Sequence, residues 1–306
     1  MLLFELSILL LCIVVGARCG GIALGTVSGM GLLLFVLVLG MPPGNPPAVV
    51  LGMILAVITA LSMMEAAGGL TYLVETAEKL LRRNPARITF LAPLVTYALI
   101  FAAGTQHVIY SLLPVIAEVS RKAGVRPERP MSMSVIAAQH GLVASPVSAA
   151  TVALIAGLAG LQVSLIDIMM ITIPATLLGV FAGIVSVLRR GASLSEDPVY
   201  QERLATGSVT PPEQQAPLEG VTRRRAIGSC AVFLGAVGLV VLLGLFPGLR
   251  PTYQLGLGAD AVNAQANMSQ LIMIIMLATG GIITLAFKAS PARAISGKLM
   301  SGGLVA

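Results

Sequence analysis

Apolar runs separated by short polar segments repeat along almost the whole of this chain, at roughly residues 2–16, 20–41, 49–70, 88–120, 131–161, 168–188, 226–246 and 268–287. A helix needs about 20 residues to cross the hydrocarbon core, so most of these runs predict single membrane spans. Two do not fit. The run Ile88–Ser120 is too short for two crossings and a turn, yet it is basic at both ends, with Lys79, Arg82, Arg83 and Arg87 before it and Arg121, Lys122, Arg126 and Arg129 after it. Short Lys/Arg-rich loops favour the cytoplasmic side. The run therefore predicts a re-entrant hairpin that turns at its polar middle, Gly104, Thr105, Gln106 and His107, and leaves on the side it entered. The run Met131–Leu161 is longer than one crossing needs and is interrupted at Gln139-His140-Gly141 and at Ser145-Pro146-Val147-Ser148. Proline frees a backbone carbonyl inside a helix, and the second interruption predicts a helix broken at membrane depth.

Polar segments assign the sides. With the N-terminus outside, the 19 Lys and Arg residues divide as 18 cytoplasmic and one, Arg250, external. A single crossing by Ile88–Ser120 would invert everything after it. The uncharged turn 42–47, rich in proline, suits an external loop. Thr71–Arg83 alternates as an amphipathic segment and is expected to lie along the membrane surface as an arm carrying the hairpin. Gly16, Gly20, Gly21, Gly25 and Gly29 include four-residue spacings that predict close packing of the first two helices. The chain divides into 1–87, scaffold helices and arm; 88–161, hairpin and broken helix as the transport element; 162–190, a closing span; 191–225, a cytoplasmic linker; and 226–306, the start of a second repeat.

Composition narrows the function classes. The chain is 57% hydrophobic and 10% charged, with a net charge of +6; soluble domains carry about 25% charged residues. The basic residues sit in short loops, so orientation explains them and a nucleic-acid partner is not needed. Cys12, Cys19 and Cys230 have no metal-ligand spacing, and neither a metal nor a cofactor is expected. Without Trp, Tyr72, Tyr97 and Tyr200 are candidates for the membrane boundaries. Glu65, an acid near the end of a span, is a functional candidate or a solvated structural residue. No motif for a hydrolase, a P-loop or a dinucleotide site is present, so an enzyme is not expected.

What the chemistry does offer is an anion site. Helix ends inside a membrane carry unpaired N–H groups and about half a positive charge each. Gly104, Thr105, Gln106 and His107 at the hairpin tip, with Ser145, Pro146 and Ser148 at the break, are the candidate substrate-binding residues, and together they would hold a small dianion without a buried Lys or Arg.

At these residues the chain resembles the anaerobic C4-dicarboxylate transporter (Dcu) family, most closely its DcuB type. The resemblance rests on GARCGGIALGTVSGMG (16–31), AGGLTYLVETAEKLLRRNP (67–85), GTQHVIYSLLPVI (104–116), RPERPMSMSVIAAQHGLVASPVSA (126–149) and ITIPATLLG (171–179). It implies an all-α polytopic inverted-repeat secondary transporter of the ion-transporter type, in a bacterial inner membrane. The implied task is to move fumarate, malate, succinate and aspartate, typically as fumarate/succinate antiport in anaerobic respiration. Gln106 stands where the resemblance leads one to expect a glycine. Members run longer and carry a second hairpin and second broken helix, so the chain is expected to be truncated, holding the first repeat and part of the second. The resemblance also implies an alternative: a transport-incompetent fragment that partners a dicarboxylate-sensing kinase. Homo-oligomerisation is a further expectation.

Overall fold

A computed structural model describes residues 2–20, 23–42, 44, 48–158, 161, 163–191, 194, 196–206, 222–255 and 262–296. The described part is helical apart from one two-stranded hairpin. Helices α1 (Leu2–Cys19) and α2 (Ala23–Leu37) precede α3 (Ala48–Ala66) and α4 (Gly69–Arg83). Next come α5 (Ile88–Ala103), α6 (Ile109–Lys122), α7 (Glu128–Ala144), α8 (Ala149–Gly157) and α9 (Leu165–Val187). The remainder is α10 (Pro198–Ala205), α11 (Arg223–Leu245), strands β1 (Thr252–Leu255) and β2 (Val262–Gln265), α12 (Met268–Phe287) and α13 (Pro291–Ser296). Among the described residues five segments are long and apolar enough to cross a membrane, Pro85–Ala103, Glu128–Ile155, Leu165–Val187, Arg223–Leu245 and Met268–Phe287, and the bent pair Leu51–Ala66 with Gly69–Arg83 is a sixth if it counts as one span. The first meets that test by length, but α6 brings the chain back.

The return is fixed by ion pairing. Arg82, at the end of α4, donates from Nη1 and Nη2 to the two carboxylate oxygens of Glu118 on α6, at 3.1 and 2.8 Å. Glu78 and Lys122 complete this cluster. The basic segments before α5 and after α6 thus lie at one end of the molecule. Arg129, at the start of α7, donates to the carbonyls of Arg190 and Gly191, which brings the end of α9 to the same level.

The α3–α4 junction bends by 72°. Gly68 makes the bend in the left-handed region (φ 82) and donates its N–H to the Glu65 carbonyl. Beyond it, α4 turns its apolar face onto α5, α6 and α11. Its buried Ala77 and Leu81 join α5 and α6 in one core, with Ile88, Ile100, Leu112 and Ile116. A second core gathers α3, α8, α11 and α12 around Met53, Met64, Phe233, Ile272 and Met276. Leu70 and Leu73 of α4 touch both. Burial of this kind contributes about 1.5–3 kcal/mol for each large side chain.

The first two helices pack on each other closely at Gly16, one of the expected glycines, and at Gly31, which is not. A Cβ at Gly16 would lie 2.8 Å from the Leu24 Cα, and one at Gly31 would lie 2.7 Å from Cys12 Sγ. Gly25 and Gly29 meet nothing within 4 Å. Leu24 and Gly31 are seven residues apart and share a face of α2, whereas Gly25 and Gly29 are turned about 100° or more away from it. Gly21 falls outside the described residues, as does most of the linker, 207–221. Two further expectations change. Gln139-His140-Gly141 interrupts nothing: α7 runs through it, His140 Nδ1 pairs with the Ile136 carbonyl, and the missing Cβ of Gly141 admits the Tyr97 carbonyl. Tyr97 is no boundary residue. It is buried in α5 with its hydroxyl 2.9 Å from Thr176 Oγ1 on α9.

Candidate functional site

The site is built where two interrupted elements meet. Helix α5 stops because Gly104 turns left-handed (φ 69) while its N–H returns to the Ile100 carbonyl. Thr105 leads into a 3-10 turn, Gln106–Val108, from which α6 departs. Helix α7 stops at Ser145, whose extended backbone (φ −68, ψ 131) leads into Pro146. Ser145, Pro146, Val147 and Ser148 are all buried.

The tip and the break are in contact. A Cβ on Gly104 would lie 2.8 Å from Val147 Cγ2 and 3.3 Å from the Val147 carbonyl oxygen. Only glycine satisfies both the backbone angle and the approach. The turn at 106–108 packs on α5, α6 and α7. Four helix ends therefore converge: the C-terminal ends of α5 and α7, and the N-terminal ends of α6 and α8. N-terminal ends favour an anion, and C-terminal carbonyls favour a cation.

Hydroxyls at the break have distinct duties. Ser148 Oγ accepts the Thr151 N–H at 3.2 Å and lies 3.0 Å from Thr151 Oγ1, capping α8. Thr151 in turn donates across the break to the Val143 carbonyl at 3.2 Å, satisfying one of the carbonyls α7 leaves open. Ser145 Oγ accepts a long bond from the Val147 N–H, 3.4 Å, and keeps its hydrogen to give. The N–H groups of Ala149 and Ala150, both exposed, have no acceptor among the described residues. On the tip, Gln106 Oε1 is buried with no hydrogen-bond partner, and Thr105 is half-buried. The side chain of His107 lies outside the described part.

Of the seven candidate residues, then, Gly104 meets the break directly, through Val147 of the buried segment that also holds Ser145, Pro146 and Ser148, and Thr105 and Gln106 follow on the adjoining turn. Val147 and Thr151 were missed by sequence reasoning. Thr151 carried a signal, a Ser three residues before a Thr at a helix start, which is the spacing of an N-cap. Val147 carried none. Among the described residues no group of three His, Cys, Asp or Glu could hold a metal.

A re-entrant hairpin whose tip touches a helix break among apolar spans defines a polytopic membrane protein of secondary-transporter type. The family model for the anaerobic C4-dicarboxylate membrane transporter matches residues 1–306. Among curated relatives, anaerobic C4-dicarboxylate transporter DcuB of Escherichia coli O6:H1 is 39% identical over 316 residues, covering 99% of this chain and 68% of that protein. C4-dicarboxylate transporter DcuA of Wolinella succinogenes is 38% identical over 306 residues, covering 100% and 68%. DcuA of Escherichia coli K12 matches at 39% over 308 residues, with the same two coverages. No solved structure matches. The chain belongs to the anaerobic C4-dicarboxylate membrane transporter family. It is a multi-pass membrane transporter, not an enzyme, and its apolar helical spans are those of an inner-membrane protein, since outer-membrane proteins span as barrels.

Proposed function

We propose that this chain carries C4-dicarboxylates across the membrane, binding them where the hairpin tip meets the α7–α8 break. The observation that carries the reading is the contact of Gly104 with Val147, which brings the tip that carries Thr105 against the break that carries Ser145. A dicarboxylate has two charges to satisfy, and each N-terminal end offers N–H groups with a partial positive charge. No buried Lys or Arg is required, and a site with little fixed charge crosses the bilayer at lower cost, loaded or empty. Fumarate taken up in exchange for succinate is the form of transport that fits a site selecting two carboxylates on a four-carbon chain.

Uptake of labelled fumarate into proteoliposomes containing the purified chain tests this. Uptake several-fold above protein-free liposomes, raised further by internal succinate, is expected. Uptake no greater than in empty liposomes overturns transport by this chain. Uptake indifferent to internal succinate overturns the exchange mode and leaves transport standing.

A further inference from the structure

We infer that the cavity between the start of α5 and the end of α9 binds the headgroup of an anionic phospholipid. The cavity, about 560 Å³, is lined by the polar Asn84, Arg87 and Thr89 and by the apolar Phe90, Leu91 and Leu188. Arg87 is exposed, and its guanidinium has neither an ion-pair nor a hydrogen-bond partner among the described residues. This sets it apart from Arg82 and Arg126, which spend their charge on Glu118 and Asp197. Arg83 and Arg189, next in sequence to two of the lining residues, are exposed as well. The polar lining therefore carries unpaired positive charge at the basic, cytoplasmic side of the molecule.

Its apolar lining decides the occupant. Phe90 of α5 packs against Phe181 of α9 with ring centroids 5.7 Å apart, and both rings remain exposed, at 39% and 40%. Leu178, Phe181, Val185 and Leu188 form one exposed stripe, at helical spacings of three and four residues, that runs from the Arg189 end of α9 past the ring pair toward the middle of the helix. A free phosphate or carboxylate would use the cationic lining and gain nothing from that stripe. A phospholipid uses both: its phosphate sits by Arg87, and an acyl chain runs down the stripe toward the bilayer core. Basic pockets between spans on the cytoplasmic side are the recurrent geometry for such headgroups. Because the cavity is shared by α5 and α9, the bound lipid holds the entering arm of the hairpin to the closing span of the same repeat.

Native mass spectrometry of the purified chain, titrated with phosphatidylglycerol or phosphatidylcholine of matched acyl chains, tests the inference. One juxtamembrane Arg contributes about fivefold in affinity for anionic lipid. Tighter retention of phosphatidylglycerol is expected, with Arg87→Gln lowering it about fivefold and Arg87→Lys and the control Arg203→Gln leaving it near wild type. Leu188→Asn should weaken retention without changing charge. Equal loss in Arg87→Gln and Arg203→Gln would reduce the effect to net charge and overturn the site. So would indifference to headgroup, or wild-type retention by Leu188→Asn. Displacement of the lipid by glycerol phosphate would reassign the cavity to a soluble anion.

Discussion

Gly104 is where sequence, backbone and proposed chemistry coincide. Gly104→Ala should destabilise the protein by about 1–3 kcal/mol, because it forces a Cβ into the left-handed region and into Val147. Adding Val147→Ala should restore only part of the loss in a thermal-stability assay, since the backbone angle and the 3.3 Å approach to the Val147 carbonyl remain. Ser145 and Ser148 separate binding from structure. Ser145→Ala removes a hydroxyl with a hydrogen still to donate, and a bond to a charged group contributes about 1.5–3 kcal/mol. Its KM for fumarate should rise about tenfold or more, as should that of Thr105→Ala, with membrane insertion unchanged. Unchanged kinetics in both variants would remove the site assignment. Ser148→Ala instead deletes the α8 cap, and about 1 kcal/mol of stability should go with it. The polar residues of the site could be read from the sequence because polarity inside an apolar run is conspicuous. Val147 could not, since an apolar residue among apolar residues shows its role only through the close approach that a glycine elsewhere permits.

Among the elements, the hairpin is held at its ends as firmly as at its tip. The Arg82–Glu118 pair is only part-exposed, 33% and 18%, and makes two parallel charge-assisted bonds. Glu118→Gln should lower stability by about 1–3 kcal/mol, and it should cost less when Arg82→Gln is already present, in the same melting assay. Strictly additive losses would mean that Glu118 acts through Lys122 alone. The turn between α5 and α6, the amphipathic helix α4 and the break at Ser145–Ser148 were all legible, because charge at both ends, helical periodicity of charge, and proline between serines are local signals. The break expected at Gln139–Gly141 was not real. There a polar residue and a glycine serve helix packing, with His140 bonded to its own helix and Gly141 admitting the Tyr97 backbone. Polarity within a span does not by itself distinguish a gap in the helix from a contact across it. The β1–β2 hairpin was also unforeseen: four-residue strands carry too little pattern against a loop background.

On the scale of the whole molecule, the basic face is tied together by charge. Arg126 pairs with Asp197 at 2.8 Å, and Asp197 accepts the N–H groups of Val199 and Tyr200 at the start of α10. Those bonds, the Tyr200 N–H first, hold the Asp197 carboxyl below its usual range. A depressed carboxylate contributes its stabilisation above its unfolded pKa and loses it as pH falls through the folded one. The docking of α10 should therefore be constant from about pH 8 to pH 5 and weaken only in stronger acid. Limited proteolysis between α9 and α11 across that range reads it out, and release near neutral pH would show that another group governs the contact. The same ties predict topology. Arg82–Glu118 and Arg129–Arg190 place the flanks of the hairpin, the start of α7 and the end of α9 on one side. Arg250, which donates to the Leu243 carbonyl at the far end of α11, belongs to the other. Cysteines placed singly at 87, 121 and 250 in the Cys12/Cys19/Cys230-free chain should label accordingly: 87 and 121 from the cytoplasmic side alone, 250 from outside alone. Labelling of 87 and 121 from opposite sides would make Ile88–Ser120 a crossing. The contact of Gly104 with Val147, and every reading built on it, would then have no membrane-depth hairpin to belong to.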